Sequence, residues 1–298
     1  MTYPEKYSHS ITVVLPAYNE ALVISDIIHK IRTLHPDAEI LVINDGSTDN
    51  TAEVSMAAGA TVWSHPYNIG NGAAVKTGIR NATGDIIVLM DADGQHQPED
   101  ISRMLRYFPE FDMVVGKRER DGQASMGRTI GNFLYNGLAS YVTRFPVEDL
   151  TSGFRAIKAD VAREYLYLLP NTYSYPTTIT LGILRDGRSV KYIPIHIQKR
   201  KIGKSGIRIL SDGTRFLMII IKICTLYSPL RIFLPVSLAM FLLGVGWSLY
   251  SLVLMGRFTN MGALLFTTSV VIFMMGLVSE QICQMRWEKR SVKVIKEK

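Results

Sequence analysis

Two aspartates one residue apart, Asp91 and Asp93, close an apolar run over residues 86–90. On an extended chain, positions i and i+2 point the same way. Two carboxylates side by side repel unless a cation sits between them. Hard Mg²⁺ or Mn²⁺ accepts oxygen ligands and shares them with substrate phosphates. The pair therefore suits a metal-bound diphosphate, although Asp-x-Asp also occurs in turns and helix caps. Gln95 and His96 follow; Gln95 is the favoured further ligand, and His96 reads as a surface loop residue. Asp45 ends another apolar run, in Asn44-Asp45-Gly46-Ser47. Its carboxylate can meet a ribose hydroxyl or a base N–H, or serve an Asx turn or helix cap that Ser47 could fill instead. Pro16, Tyr18 and Glu20 close the first apolar run, and Glu20 can likewise reach a nucleoside. Gly70-Asn71-Gly72 opens a helix whose N–H groups can cradle an anion. Neither a GxGxxG dinucleotide fingerprint nor a Walker A lysine is present.

Such groups act together only if the fold brings them to one edge. Strands are expected over residues 11–15, 39–43, 60–63, 86–90 and 113–116, with helices over 21–34, 48–58, 72–82 and 98–108 between them. Pro98 suits the first turn of the last helix. This repetition predicts an α/β domain whose mostly parallel sheet is covered on both faces. Ligands of such sheets sit beyond the carboxyl ends of the strands, where the acidic motifs fall. Residues 117–200 are less regular. A helix is expected over 127–143 and strands over 154–157 and 190–198, the last alternating Ile193, Ile195 and Ile197 with Pro194, His196 and Gln198. No internal repeat or low-complexity tract interrupts the chain.

The 298 residues carry a formal charge of +7, and their apolar content is unevenly spread. Residues 207–228 mix Arg208, Asp212, Arg215 and Lys222 with apolar side chains, as in a helix lying in a membrane interface. Residues 232–255 and 261–285 are each long enough to cross a hydrocarbon core of roughly 30 Å. Lys199, Arg200, Lys201, Lys204 and Arg208 precede these runs, and Arg286, Lys289, Arg290, Lys293, Lys296 and Lys298 follow them. Basic flanks fit the positive-inside rule and an anionic leaflet; no nucleic-acid-binding motif accompanies the charge, so no nucleic acid is expected. Glu280 lies near the cytoplasmic end of the second run, where it could snorkel, cap or meet a lipid headgroup. Cys224 and Cys283 both fall in the apolar third and suggest neither a disulfide framework nor zinc. The polar residues 1–10 read as no signal peptide. The expected organisation is a cytoplasmic catalytic domain over 1–206, an interface helix region over 207–229 and a two-helix anchor over 230–298 with a basic cytoplasmic tail.

Together the motifs resemble family 2 glycosyltransferases of the GT-A fold. The matching pieces are Val14-Leu15-Pro16-Ala17-Tyr18-Asn19-Glu20, Asn44-Asp45-Gly46-Ser47, Gly70-Asn71-Gly72-Ala73-Ala74, Asp91-Ala92-Asp93-Gly94-Gln95-His96 and Thr151-Ser152-Gly153-Phe154-Arg155. Their order is the family's, and they span residues 11–157. The short domain followed by terminal spans is similar to the polyprenyl-phosphate glycosyltransferases, among them dolichol-phosphate mannose synthases and bacterial undecaprenyl-phosphate glucosyltransferases. The resemblance implies that Pro16, Tyr18, Glu20 and Asp45 hold the nucleoside, and that Asp91, Asp93 and Gln95 hold Mg²⁺ or Mn²⁺ and the diphosphate. It implies Arg118 and Arg128 at the lipid phosphate, Ser152 and Arg155 along the acceptor side, and Arg200 and Lys204 closing over the diphosphate. Gly94 stands where near relatives have leucine, and Asn44 where aspartate is frequent.

The implied partners are a nucleotide-sugar, with UDP favoured over GDP, a polyprenyl phosphate and the membrane: plasma membrane in a bacterium or archaeon, endoplasmic reticulum in a eukaryote. A homo-oligomer is compatible with two spans. Residues 173–181, where hydroxyl-glycosylating relatives carry a catalytic carboxylate, contain no acid. A hydroxyl acceptor needs a base; a phosphate monoester, with a second pKa of about 6, does not. Asp149 is the rival source of a base. Other readings are a GDP-mannose-dependent dolichol-phosphate mannose synthase, a processive polysaccharide synthase and a non-catalytic nucleotide-sugar-binding scaffold.

Overall fold

The computed structural model describes residues 9–118, 136–171, 175–197 and 228–296. Along the chain run β1 (Ile11–Ala17), α1 (Ile24–Leu34), β2 (Glu39–Asn44), α2 (Thr51–Ala57), β3 (Thr61–Ser64), α3 (Asn71–Asn81), β4 (Ile86–Leu89), α4 (Glu99–Leu105) and β5 (Met113–Arg118). A helix over 136–143 (α5) follows, then β6 (Arg155–Lys158), α6 (Ala159–Glu164), α7 (Tyr175–Arg185) and β7 (Val190–Ile195). The apolar third forms α8 (Leu230–Met255) and α9 (Asn260–Lys296).

Seven strands make one sheet in the order β3-β2-β1-β4-β6-β5-β7. All neighbours are parallel except β6, which runs antiparallel to β4 and β5. The expected mostly parallel α/β sheet is present, with one reversed strand. Alternate side chains feed two apolar layers. On one face, Val13, Leu15, Ile40, Val42 and Val88 pack with Ile24, Ile27, Ile28 and Ile31 of α1 and with Ile101 and Met104 of α4. Spacings of three and four put those four isoleucines on one stripe. On the other face α3 lies against β1 and β2, with α6 beside it. Gly78 makes that seat close: a Cβ there would stand 2.2 Å from Val14 Cγ1.

The chain divides into two units, residues 1–140 with 145–209 and residues 141–144 with 210–298. In the second, α8 and the 260–285 part of α9 are long and apolar enough to be candidate membrane spans. They are packed as a hairpin, with Ser269 Oγ donating to Ser237 O at 2.9 Å. Glu280 caps α8: its carboxylate accepts from Ser228 Oγ at 3.0 Å and from Leu230 N at 3.1 Å. Capping is thus the use the structure shows for this acid. The expected interface helix falls, except for its end, outside the described residues.

Candidate active site

The order β2-β1-β4 sets three carboxyl-terminal strand ends side by side. They carry Asn44-Asp45, Pro16-Ala17-Tyr18 and Asp91-Ala92-Asp93. β6 starts where β4 and β5 end, because it runs the other way. The turn from Asp149 to Phe154 therefore reaches the same edge as Arg118.

Asp91 and Asp93 are both partly exposed there. Asp93 Oδ1 accepts from the backbone Gln95 N at 3.1 Å, which turns the chain back on Asp93. Asp91 keeps 35% of its side chain open. The surrounding walls still withdraw enough water to raise its carboxyl above the ordinary value; His96 opposes that shift and Asp93 adds to it. Gly153 lies against the carboxylate so closely that a Cβ would meet Asp91 Oδ2 at 2.6 Å. His96 corrects the expectation of a surface residue. It is only 8% exposed, its ring lies 5.0 Å from that of Phe154, and its Nε2 is 3.9 Å from Asp91 Oδ2. Burial pushes the imidazole below its usual range against the pull of Asp91. Phe154 supplies the apolar wall, and its distance along the chain hides the contact from sequence.

On the neighbouring strand ends, Tyr18 is 44% exposed, and Pro16 and Glu20 are partly exposed. The loops after β1 and β2 are stitched together by Asn19 N to Ser47 Oγ (3.0 Å), Thr48 N to Asn19 Oδ1 (2.8 Å) and Glu20 N to Thr51 Oγ1 (3.0 Å). The Asx turn belongs to Asn44, whose Oδ1 accepts from Ser47 N at 3.0 Å. Asp45 is buried. Its carboxylate accepts from Ile69 N (3.1 Å) and Gly70 N (2.8 Å) and meets His65 Nδ1 at 2.7 Å. His65 follows β3, and no spacing rule links it to Asp45.

Arg118 forms a two-pronged pair with Asp149, Nε to Oδ2 at 2.8 Å and Nη2 to Oδ1 at 2.9 Å, and also donates to Thr151 Oγ1. Asp149 Oδ1 additionally accepts from Thr151 N (3.2 Å) and Ser152 N (3.1 Å). Burial favours the neutral acid, yet Arg118 and these N–H groups outweigh it and hold Asp149 below the usual carboxylate range. Such a group is a poor proton acceptor. Ser152, expected along the acceptor side, is instead buried, and its hydroxyl donates to Gly116 O at 2.6 Å.

Arg155 corrects the expectation that it lines the acceptor side, because it is 0% exposed. Its guanidinium donates to Pro176 O (3.1 Å), Thr180 Oγ1 (3.1 Å) and Ser152 O. It braces the turn from beneath. Arg128, Arg200 and Lys204 lie outside the described residues.

No group of three His, Cys, Asp or Glu side chains able to hold a metal gathers among the described residues. Two adjacent, partly exposed carboxylates nonetheless fit a hard cation that completes its shell with phosphate oxygens. A wholly protein-built cage is not what these residues offer.

A mostly parallel sheet with one reversed strand and an Asp-x-Asp edge defines a GT-A-type α/β fold. The Glycosyl transferase family 2 profile matches residues 12–166, and the chain belongs to that family. A second profile, the GtrB C-terminal hairpin, matches residues 228–285. An uncharacterized protein of Methanocaldococcus jannaschii is 31% identical over 195 residues, which cover 62% of this chain and 80% of that one. Glucosyl-3-phosphoglycerate synthase from Mycobacterium tuberculosis, solved with Mn²⁺ and UDP-glucose, superposes with a TM-score of 0.57 at 20% identity, over 72% of this chain and 77% of that one. A mycobacterial protein superposes at 0.59 with 20% identity, over 73% and 74%. These two likenesses show the fold.

Proposed function

We propose that this glycosyltransferase moves one sugar from a nucleotide diphosphate-sugar, preferably a UDP-sugar, onto a polyprenyl phosphate at the cytoplasmic membrane face. The observation that carries the reading is an Asp91/Asp93 edge on a chain whose residues 228–285 match a hairpin of the GtrB type. GtrB is a polyprenyl-phosphate glucosyltransferase. The structural neighbour solved with Mn²⁺ and UDP-glucose supports a divalent cation and a uridine nucleotide.

Pro16, Tyr18 and Glu20 hold the nucleoside in this reading; Asp45, expected beside them, is buried and spent on the Ile69 and Gly70 N–H groups and on His65. Asp91, Asp93 and Gln95 hold Mg²⁺ or Mn²⁺, which when bound supplies positive charge to the departing diphosphate. Arg200 and Lys204 close over that diphosphate. Arg118, fixed by Asp149, meets the acceptor phosphate together with Arg128. An acceptor phosphate oxygen attacks the anomeric carbon from the far side, the bond to the diphosphate oxygen breaks, and the configuration inverts. No proton has to be removed from the acceptor. The acid-free helix α7 and the committed Asp149 agree with that. The domain over 1–206, the interface region over 207–229 and the anchor over 230–298 divide the work between chemistry and attachment, with the basic flanks facing the cytoplasm.

The test is a transfer assay in liposomes with polyprenyl phosphate, Mn²⁺ or Mg²⁺, and UDP-glucose, UDP-N-acetylglucosamine or GDP-mannose. A single-sugar lipid from one donor supports the reading. Folded protein that binds nucleotide but labels no lipid from these or other donors refutes the acceptor assignment.

A further inference from the structure

Arg155 is the largest fully buried side chain among the described residues. It opens β6, and its guanidinium lies among neutral partners. Nη1 donates to Pro176 O and to Thr180 Oγ1, both at 3.1 Å, and Nη2 donates to Ser152 O. The Tyr175 ring centre is 6.0 Å from its Cζ. Its Nε has no hydrogen-bond partner among the described residues. Burying a cation among neutral groups is costly. An apolar side chain of similar volume would fill the space without that cost. It could not tie together oxygens from two separate segments, the turn over 149–154 and the first half of α7.

The tie to the turn continues outward. Ser152 is held at both ends of its backbone: its carbonyl accepts from Arg155, and its N–H donates to Asp149 Oδ1 at 3.1 Å. Its hydroxyl anchors on Gly116 O of β5 at 2.6 Å. Asp149 in turn grips Arg118, through Nε at 2.8 Å and Nη2 at 2.9 Å. One line of hydrogen bonds thus runs through Ser152 from the fully buried Arg155 to Arg118, whose side chain is 37% exposed at the site edge.

We propose that Arg155 is a positioning residue for recognition of the acceptor phosphate. It fixes the turn that carries Asp149, and through Asp149 the direction in which Arg118 presents its guanidinium. Arg155 itself lies too deep to touch either substrate. The inference rests on the reading given above that Arg118 meets an acceptor phosphate.

The test uses the full chain in detergent. Farnesyl phosphate stands in for the lipid acceptor and UDP with Mn²⁺ for the donor, and calorimetry reads both affinities. Arg155→Lys keeps the charge but loses the planar fork that reaches two segments. Its Kd for farnesyl phosphate should rise about tenfold, as for one weakened hydrogen bond to a charged group. Its Kd for UDP with Mn²⁺ should stay as in the wild type, because Asp91 and Asp93 follow β4 and take no part in the line. Arg118→Ala should weaken farnesyl phosphate at least as much. Adding Arg155→Lys to Arg118→Ala should then cost nothing further, since both changes act on one contact; a merely structural role would add the two losses. Thr180→Val removes one acceptor of the guanidinium and should shift farnesyl phosphate binding the same way by a smaller factor. It decides the matter if Arg155→Lys does not fold. Unchanged farnesyl phosphate binding in the folded variants, or losses that add, would overturn the inference. A wild type that binds UDP with Mn²⁺ but not farnesyl phosphate would instead overturn the acceptor reading.

Discussion

At the level of single residues, the charge pair at the end of β4 carries the sharpest expectations. Asp93→Ala should lower lipid-linked product by about 100-fold or more, the scale of losing a preorganised electrostatic contact. Its melting curve should match the wild type, and label extracted into the lipid phase reads the loss. Gly153→Ala probes the same spot from the opposite wall. Its new methyl would stand 2.6 Å from Asp91 Oδ2, so activity should drop about tenfold or more, in line with the sensitivity of catalysis to displacements near 1 Å. Full activity in either variant would remove Asp91 and Asp93 from the donor site. The aspartates were legible in the sequence because strand ends and i, i+2 spacing are local properties. The burial of His96 and the clasp on Asp45 were not, since each depends on a partner from a different loop. Arg155 misled for a related reason: its motif marks a place in the chain, but its position on β6 turns the guanidinium inward against Thr180 and Pro176.

At the level of elements, the parallel βα units showed themselves through alternating apolar and helical periods. The reversal of β6 did not, because side-chain alternation is the same in either direction. Helix α7 also gave no signal, since Tyr175 to Leu184 are all buried and leave no polar stripe. Asp112 ties three strands where β5 and β7 begin and β6 ends. It accepts from Ser189 N (2.9 Å), Ser189 Oγ (3.0 Å) and Lys158 Nζ (2.9 Å). Burial would raise its carboxyl, but these bonds outweigh it and depress the folded value. A depressed acid contributes stability that is complete above its unfolded pKa of about 3.9 and is lost as pH falls through the lower folded value. The wild type should therefore lose melting temperature below about pH 4 more steeply than Asp112→Asn. At pH 7 that variant should be destabilised by about 1 kcal/mol, as for a partly buried hydrogen-bonded acid losing its match. Fluorescence melting in detergent across pH checks both. Gly78→Ala should cost about 1–3 kcal/mol through overpacking on Val14, with part recovered in the double variant with Val14→Ala.

For the molecule as a whole, the long apolar runs announced two helices, and both are present. The acid that joins them, Glu280, was visible in the sequence as a carboxyl near the end of the second run, with capping among its expected uses. Glu280→Ala should leave the Ser228 hydroxyl and the Leu230 N–H without their acceptor. The hairpin should lose about 1 kcal/mol, the usual worth of a helix cap, seen as an earlier detergent melt with soluble-substrate binding unchanged. The reversed strand β6 has a broader consequence. Since β5 reaches the site edge at Arg118 and β6 leaves it from Arg155, both ends of the polypeptide between them lie at one place, fastened by Arg118 to Asp149 and by Ser152 to Gly116. The edge is thereby sewn together from within the sheet, so that a change at Arg118, Asp149, Ser152 or Gly116 acts on two strands at once.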